Sequence, residues 1–308
     1  MADGDAPTPA PAQPNIDDVE RKSGSKIDDL AKALLKYRVV RGPARRLANS
    51  KAAWAVVSRI DRVRARRAVT RIRTAAVPHH VGIIMDGNRR FAKQLGLDDI
   101  RMGHVAGQER LENVLDWCLE LGIKVLTVYA FSTENFQRAD AERDLLMELF
   151  EHNFRKMAVD PRVHKNKIRV RCIGDMSLVP HNVRRAAEDV MAATRAYDAY
   201  TFNVAIAYGG RAEIVEAVRT IATDVRAGKL AVDDITDRTI SERLYTGDLP
   251  DPDFIIRTSG EERISNFLLW QLAYAELYFA DVYWPGLNRL EFMRAIEEYQ
   301  KRKRRFGS

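Results

Sequence analysis

From residue 78 onward the chain alternates short β-forming runs with helix-length stretches, and this alternation restricts the fold more than any other feature. The runs are Val81–Met85, Val125–Phe131, Ile168–Ile173, Thr201–Tyr208, Asp253–Arg257 and Leu277–Tyr283. Between them lie Glu109–Leu121, Ala141–Met157, Val183–Thr194, Ala212–Ala227 and Ser241–Tyr245, all of helical pattern. Neighbouring parallel strands need a crossover, usually a helix, so the alternation predicts an α/β fold. The expectation is a mostly parallel central sheet of about six strands flanked by helices, with a helical N-terminal extension before it.

Ligands of such sheets bind beyond the carboxyl ends of the strands. Three runs lead into polar clusters there: Asp86-Gly87-Asn88-Arg89-Arg90, Ser132-Thr133-Glu134-Asn135, and Thr258 to Asn266. Together they make a cleft rich in arginine, hydroxyls and carboxylates, suited to phosphate oxygens. Arg90, Arg257 and Arg263 can clamp such oxygens with paired hydrogen bonds. Asn88 would open a helix whose N-terminal N–H groups favour an anion. An Asp at a strand end is most often a helix cap. Among arginines, Asp86 reads instead as a ligand for Mg²⁺, which takes carboxylate and phosphate oxygens together.

The charge is unevenly spread. Residues 1–20 carry five acids and no Lys or Arg, and are read with 21–25 as a disordered tail. Residues 21–77 carry seventeen basic and three acidic side chains, a balance of +14, so that 78–308 sums to −2 within the total of +7. In the expected extension, residues 26–77, Ile27, Leu30, Leu34 and Leu35 recur at helical spacing. After Pro43, Ala53, Val56, Ile60 and Val63 face away from Arg59, Arg62, Arg66 and Arg73. A basic amphipathic helix fits an anionic membrane surface, and it fits equally a pair of helices docked on the main domain or on a second copy. The basic excess lies in the extension, whereas a nucleic-acid enzyme more often carries it around the active cleft, so nucleic acid is the weakest of the three readings.

Several other classes are excluded. No apolar run reaches the ~18–20 residues of a membrane span, and the acidic N-terminus is no secretory signal. The expected location is the cytoplasm, with peripheral membrane contact through residues 26–77. There is no G-x-x-x-x-G-K-[ST] and no G-x-G-x-x-G. Two cysteines, Cys118 and Cys172, make neither a disulfide framework nor a four-thiolate site, and fall in core patterns.

The residues from His80 to Lys93, with Ile84-Met85-Asp86-Gly87-Asn88-Arg89-Arg90 at their centre, resemble the first signature of the cis-prenyltransferases, the undecaprenyl diphosphate synthase family. Tyr129 to Arg138 resembles the second, and Tyr208-Gly209-Gly210-Arg211 a third. Arg257 to Gln271, followed by Ala273 to Phe279, is similar to the longest. The resemblance runs from about His80 to Gly307 and makes residues 78–308 the catalytic domain. Two departures, Arg89 where the commoner signature has Gly and a one-residue-longer stretch over Gly96–His104, are closer to archaeal members.

The resemblance implies Mg²⁺-dependent condensation of isopentenyl diphosphate with an allylic diphosphate such as farnesyl or geranylgeranyl diphosphate. It also implies a homodimer and a hydrophobic tunnel for a long-chain cis-polyprenyl diphosphate, precursor of a glycosyl carrier lipid. By position, Asp86 and Asn135 would be catalytic, and Asp86 and Glu276 would hold the metal. Gly87, Asn88, Arg89, Arg90, Phe91, His104, Ser132, Thr133, Glu134, Phe136 and Arg138 would surround the allylic substrate. Arg257, Arg263, Ile264 and Ser265 would hold isopentenyl diphosphate. Whether Arg101 matches a phosphate-binding arginine is open. Ala130 leaves room for a long product, whereas Tyr200 matches a chain-length position and is bulky. A short-chain synthase, prenyl transfer to another acceptor, and a non-catalytic scaffold subunit remain as alternatives.

Overall fold

The computed structural model describes residues 64, 67–96, 99 and 101–302. The tail expected over 1–25 and most of the helical extension expected over 26–77 therefore lie outside the described residues. The main body is a six-stranded, wholly parallel sheet in the order β3-β4-β2-β1-β5-β6. The strands are β1 (His80–Ile84), β2 (Val125–Ser132), β3 (Ile168–Ile173), β4 (Tyr200–Tyr208), β5 (Phe254–Thr258) and β6 (Glu276–Ala280). β1 lies between β2 and β5, so the three strands that carry the polar clusters are adjacent.

Eight helices described after β1 are α1 (Asn88–Gln94), α2 (Arg101–Leu121), α3 (Asp140–Val159), α4 (Pro161–Lys165), α5 (His181–Thr194), α6 (Gly210–Arg226), α7 (Asp237–Ser241) and α8 (Arg289–Lys301). α2 starts eight residues before the expected Glu109. Glycines disfavour a helix by propensity, but here Gly107 serves a close approach. A Cβ there would lie 2.5 Å from Asn88 Oδ1 and 3.0 Å from the Trp284 ring. The helix expected at Ser241–Tyr245 instead occupies α7, because Thr236 and Thr239 form a reciprocal cap at its start. β6 stops at Ala280, short of the expected Tyr283, and Trp284–Gly286 form a single 3₁₀ turn. α8 was not anticipated, although Asn288 caps it by accepting from Glu291 N at 3.0 Å and Leu290, Met293 and Ile296 share its buried side.

Alternate residues of each strand enter opposite cores. Val81 and Ile83 join the larger cluster with residues of α2, α3, α5 and α8. Ile84, Tyr129 and Ile255 face Phe267 and Leu268 on the other side. The core also crosses the boundary expected at residue 78. Residues 67–72 are helical, and Ala68, Val69 and Ile72 are buried in the larger cluster. Gln300 on α8 donates to the carbonyls of Ile72 and Ala76, and Arg71 pairs with Glu297 at 2.6 Å. Arg73, expected opposite the apolar stripe, is exposed and donates to the Glu120 carbonyl at 2.5 Å.

Candidate active site

Gly87 follows β1 at φ +109°, a left-handed conformation that favours glycine, and the turn starts α1 directly behind Asp86. The backbone of Asp86 is tied to β5, since its N–H donates to Thr258 Oγ1 at 3.0 Å and its carbonyl accepts from that hydroxyl at 2.7 Å. The Asp86 carboxylate accepts from Arg257 Nη2 at 2.7 Å and from Arg90 Nη2 at 3.0 Å. Burial pushes this carboxyl up, but the hydrogen bonds and charges of Arg257 and Arg90 outweigh it and hold it below the usual range.

Arg257 is only 4 % exposed, and its other arm donates to Ser265 Oγ at 2.7 Å and to the Arg263 carbonyl. Arg90 also reaches Ser259 Oγ at 2.8 Å and Glu261 at 2.6 Å. Glu261 in turn pairs with Arg263 at 2.5 Å. Asp86 and Glu261 thus link three arginines from two strand ends. The loop that carries them is strained: Ser259, Ser265, Asn266 and Leu268 all have positive φ. It is held by Asn266, whose carbonyl and side-chain oxygen accept from Gly210 N and Arg211 N at the start of α6. The Tyr208-Gly209-Gly210-Arg211 motif therefore supports the loop. Beneath it Tyr208 donates to the buried Glu213, whose carboxyl burial raises.

A second ionic group gathers around a carboxylate of α3. Glu142 on α3 lies 3.0 Å from Arg138, 3.4 Å from His104 and 3.8 Å from Arg89. The contact with His104 and the nearby arginines hold its carboxyl below the usual range despite burial. Asn135 completes the rim. Its side-chain oxygen accepts from Ser132 N at 3.1 Å, which leaves the amide N–H, a donor, for a ligand.

These groups border a cavity of about 640 Å³ that begins at Asp86, Arg257, Ser265 and His104 and continues between α2, α3 and the sheet. Its walls are Leu111, Leu115, Ala130, Leu146, Phe150, Phe154, Phe202 and further apolar side chains. A smaller hollow of about 330 Å³ adjoins it, lined by Asp86, Gly87, Asn88, Arg89, Arg90, Lys93, His104 and Arg138. Ser132 and Glu134 also border the large cavity.

Other expected site residues lie elsewhere. Phe91 is 1 % exposed and packs with Ala106, Leu95, Met102 and Tyr283, because its face of α1 is turned to α2. Phe136 meets Phe131 edge-on at 4.9 Å, and neither it, Thr133 nor Ile264 lines the cavity. Arg263 is a half-exposed neighbour of the cavity and not part of its wall. Arg101 pairs with Asp99 at 2.9 Å, away from both hollows. Tyr200, expected to narrow the tunnel, is not on its wall and lies under Lys124 at 4.3 Å. Glu276 begins β6 opposite Phe254, whereas Asp86 follows the other end of β1. Its carboxylate pairs with Arg302 at 2.8 Å, so within this chain it does not join Asp86. Glu142, Glu261 and Lys93 were missed. The i, i+4 spacing of Arg138 and Glu142 was the available signal.

An arginine-rich strand-end site at the mouth of a long apolar cavity suits a ligand with an anionic head and an apolar tail, which defines an amphiphile-binding α/β protein. Residues 84–307 match a family model described as "Putative undecaprenyl diphosphate synthase". The chain is 54 % identical over 237 residues to a tritrans,polycis-undecaprenyl-diphosphate synthase (geranylgeranyl-diphosphate specific) of Methanopyrus kandleri, covering 77 % of this chain and 87 % of that one. It is 54 % identical to the protein of the same description from Pyrococcus abyssi, covering 77 % and 89 %. Among solved structures it is similar to lavandulyl diphosphate synthase from Lavandula x intermedia in complex with dimethylallyl diphosphate. That match has a TM-score of 0.71 and 36 % identity, over 75 % of this chain and 99 % of that one. The chain belongs to the undecaprenyl diphosphate synthase family of cis-prenyltransferases, which condense isopentenyl diphosphate onto an allylic diphosphate.

Proposed function

We infer that this chain extends an allylic diphosphate with successive isopentenyl units and keeps the growing cis-polyprenyl chain in the apolar cavity. The observation that carries this is the continuity of one cavity from the Asp86–Arg257 pair to Phe154 and Phe202. The preferred primer is geranylgeranyl diphosphate, the specificity stated for the Methanopyrus relative. Ala130 on the wall and Tyr200 off it favour a long-chain product, a precursor suited to a glycosyl carrier lipid.

The primer diphosphate occupies the hollow at Arg89, Arg90, Lys93 and His104, where the N-terminus of α1 adds backbone donors. The second diphosphate sits by Arg257, Arg263 and Ser265. Bond breaking at the primer's allylic carbon transfers negative charge to the departing diphosphate, so the cations around it lower the transition state more than the ground state. The allylic carbon bonds to the terminal alkene carbon of isopentenyl diphosphate, and a proton then leaves that unit. Asn135 orients a substrate through its amide N–H, and a diphosphate oxygen takes the proton. The apolar walls exclude water from the electron-poor carbon.

Among the described residues no three His, Cys, Asp or Glu side chains gather to hold a metal. One carboxylate facing the phosphate sites still fits Mg²⁺, which commonly takes one or two carboxylates with substrate phosphates. Asp86 would hold it, and the ion would offset charge on the diphosphate. Glu276 reaches such a site only from a second copy, consistent with a homodimer. Within residues 26–77, expected to touch the membrane, the basic side chains before residue 67 supply that peripheral contact.

Incubation with Mg²⁺, labelled isopentenyl diphosphate and primers of increasing length, followed by sizing of the products, tests this reading. Extension of none of them overturns it.

A further inference from the structure

Three basic side chains that line the smaller hollow share one carboxylate behind it. Arg89 on α1, His104 on α2 and Arg138, two residues before α3, all border the hollow. Glu142 stands in the first turn of α3, where the helix dipole favours an anion. Its Oε1 accepts from Arg138 Nη1 at 3.0 Å and lies 3.4 Å from His104 Nε2. Its Oε2 lies 3.8 Å from Arg89 Nη1. Among the described residues no other carboxylate forms an ion pair with Arg89, His104 or Arg138. Arg90 is held separately, by Asp86 at 3.0 Å and Glu261 at 2.6 Å. The Glu142 side chain is 10 % exposed and lines neither the hollow nor the apolar cavity, so it reaches a ligand only through the groups it holds.

We propose that Glu142 is a positioning residue for the primer, its carboxylate holding Arg89, His104 and Arg138 at the diphosphate hollow. Basic groups gathered for a diphosphate repel one another until the ligand arrives. The side chains of Arg89 and Arg138 are 51 % and 29 % exposed, so without a shared counter-charge they turn outward to water. One carboxylate among three basic groups fixes their direction and leaves the hollow positive. The sign of its effect on binding is diagnostic. As a bare charge near a diphosphate, Glu142 would repel the primer and weaken binding. As the anchor of three ligand-facing groups it strengthens binding, because each oriented, charge-assisted contact outweighs a repulsion screened by the cations between.

The proposal rests on the hollow being the primer site. The test measures kcat, KM for geranylgeranyl diphosphate, KM for isopentenyl diphosphate and a melting curve. The proteins are wild type, Glu142→Gln, Glu142→Asp, Arg138→Ala and the double variant of Arg138→Ala with Glu142→Gln. Glu142→Gln keeps the shape and removes the charge; it should raise KM for the primer about tenfold or more and leave that for isopentenyl diphosphate within about twofold. Glu142→Asp keeps the charge on a shorter stem and should give a smaller selective rise, about threefold. It carries the test by itself if Glu142→Gln does not fold. Since Glu142 acts through its partners, Glu142→Gln should add much less in the Arg138→Ala background than in wild type. An unchanged or lowered primer KM in folded Glu142→Gln, with or without a fall in melting temperature, overturns the positioning role, and so does full additivity in the double variant. If Arg138→Ala still raises the primer KM in that case, the primer site stands. An unchanged primer KM in Arg138→Ala overturns the assignment of the hollow, and the proposal with it.

Discussion

Arg257 Nη2 lies 2.7 Å from Asp86 Oδ2, and this bond joins the ends of β5 and β1 into one site. Arg257 is almost wholly buried, so Asp86 is its main neutralising partner as well as the carboxylate presented to a ligand. Asp86→Asn keeps the shape and removes the charge. The expected outcome is a fall in turnover of more than tenfold, at least ~1.4 kcal/mol in the barrier, with a lowered melting temperature because the buried guanidinium loses its counter-charge. Steady-state rates at saturating Mg²⁺ beside a melting curve check this; retention of more than a tenth of the rate refutes the role.

Arg263 and Arg90 share Glu261 but approach from different strand ends. Arg263→Ala should raise KM for isopentenyl diphosphate much more than for the primer, and Arg90→Ala the reverse. Loss of a charged hydrogen bond to phosphate is worth ~1.5–3 kcal/mol, roughly ten- to 150-fold. Half-exposed Arg263 should cost little stability. Equal effects on both substrates in both variants would show that the two diphosphate sites are wrongly divided.

His80 predicts a pH dependence of stability. Its Nδ1 donates to the Pro250 carbonyl at 2.7 Å, so its Nε2 is the acceptor for the Thr127 hydroxyl, which itself accepts from Asn203. Burial lowers its pKa from 6.5 to about 4. The unfolded chain takes up a proton on acidification before the folded chain does, so this contribution is full above pH ~6.5 and is lost as pH falls towards 4. The loss should approach ~3 kcal/mol. Denaturant midpoints across this range check it, and His80→Gln should flatten the slope; an unchanged slope refutes it.

Two truncations separate the roles of the N-terminal region. Removal of residues 1–66 leaves the buried Ala68, Val69 and Ile72 in place and should preserve condensation and melting temperature. Removal of 1–77 exposes the surface they cover and should cost roughly 3–6 kcal/mol. Both should abolish salt-sensitive sedimentation with anionic vesicles, since each Lys or Arg near such a surface contributes ~1 kcal/mol. Vesicle binding retained after removal of 1–66 would exclude the basic segment as the membrane contact.

The sequence by itself determined the sheet and the place of the site. β3 was legible over its whole length from Ile168 to Ile173 because β-branched alternation is a local property. Asp86, Arg257 and Ser265 were legible as candidates because they end or follow strand runs in a fold that gathers ligands at strand ends. Tertiary structure decided what depends on the direction of a side chain or the end of a strand. Phe91 belongs to the core because the face of α1 it occupies meets α2, which spacing cannot show. Glu276 stands at the wrong end of a parallel strand to meet Asp86, a consequence of register. Glu142 and Glu261 became visible only once folding brought distant arginines to them, since a buried or clustered cation must find its counter-charge wherever the chain supplies it.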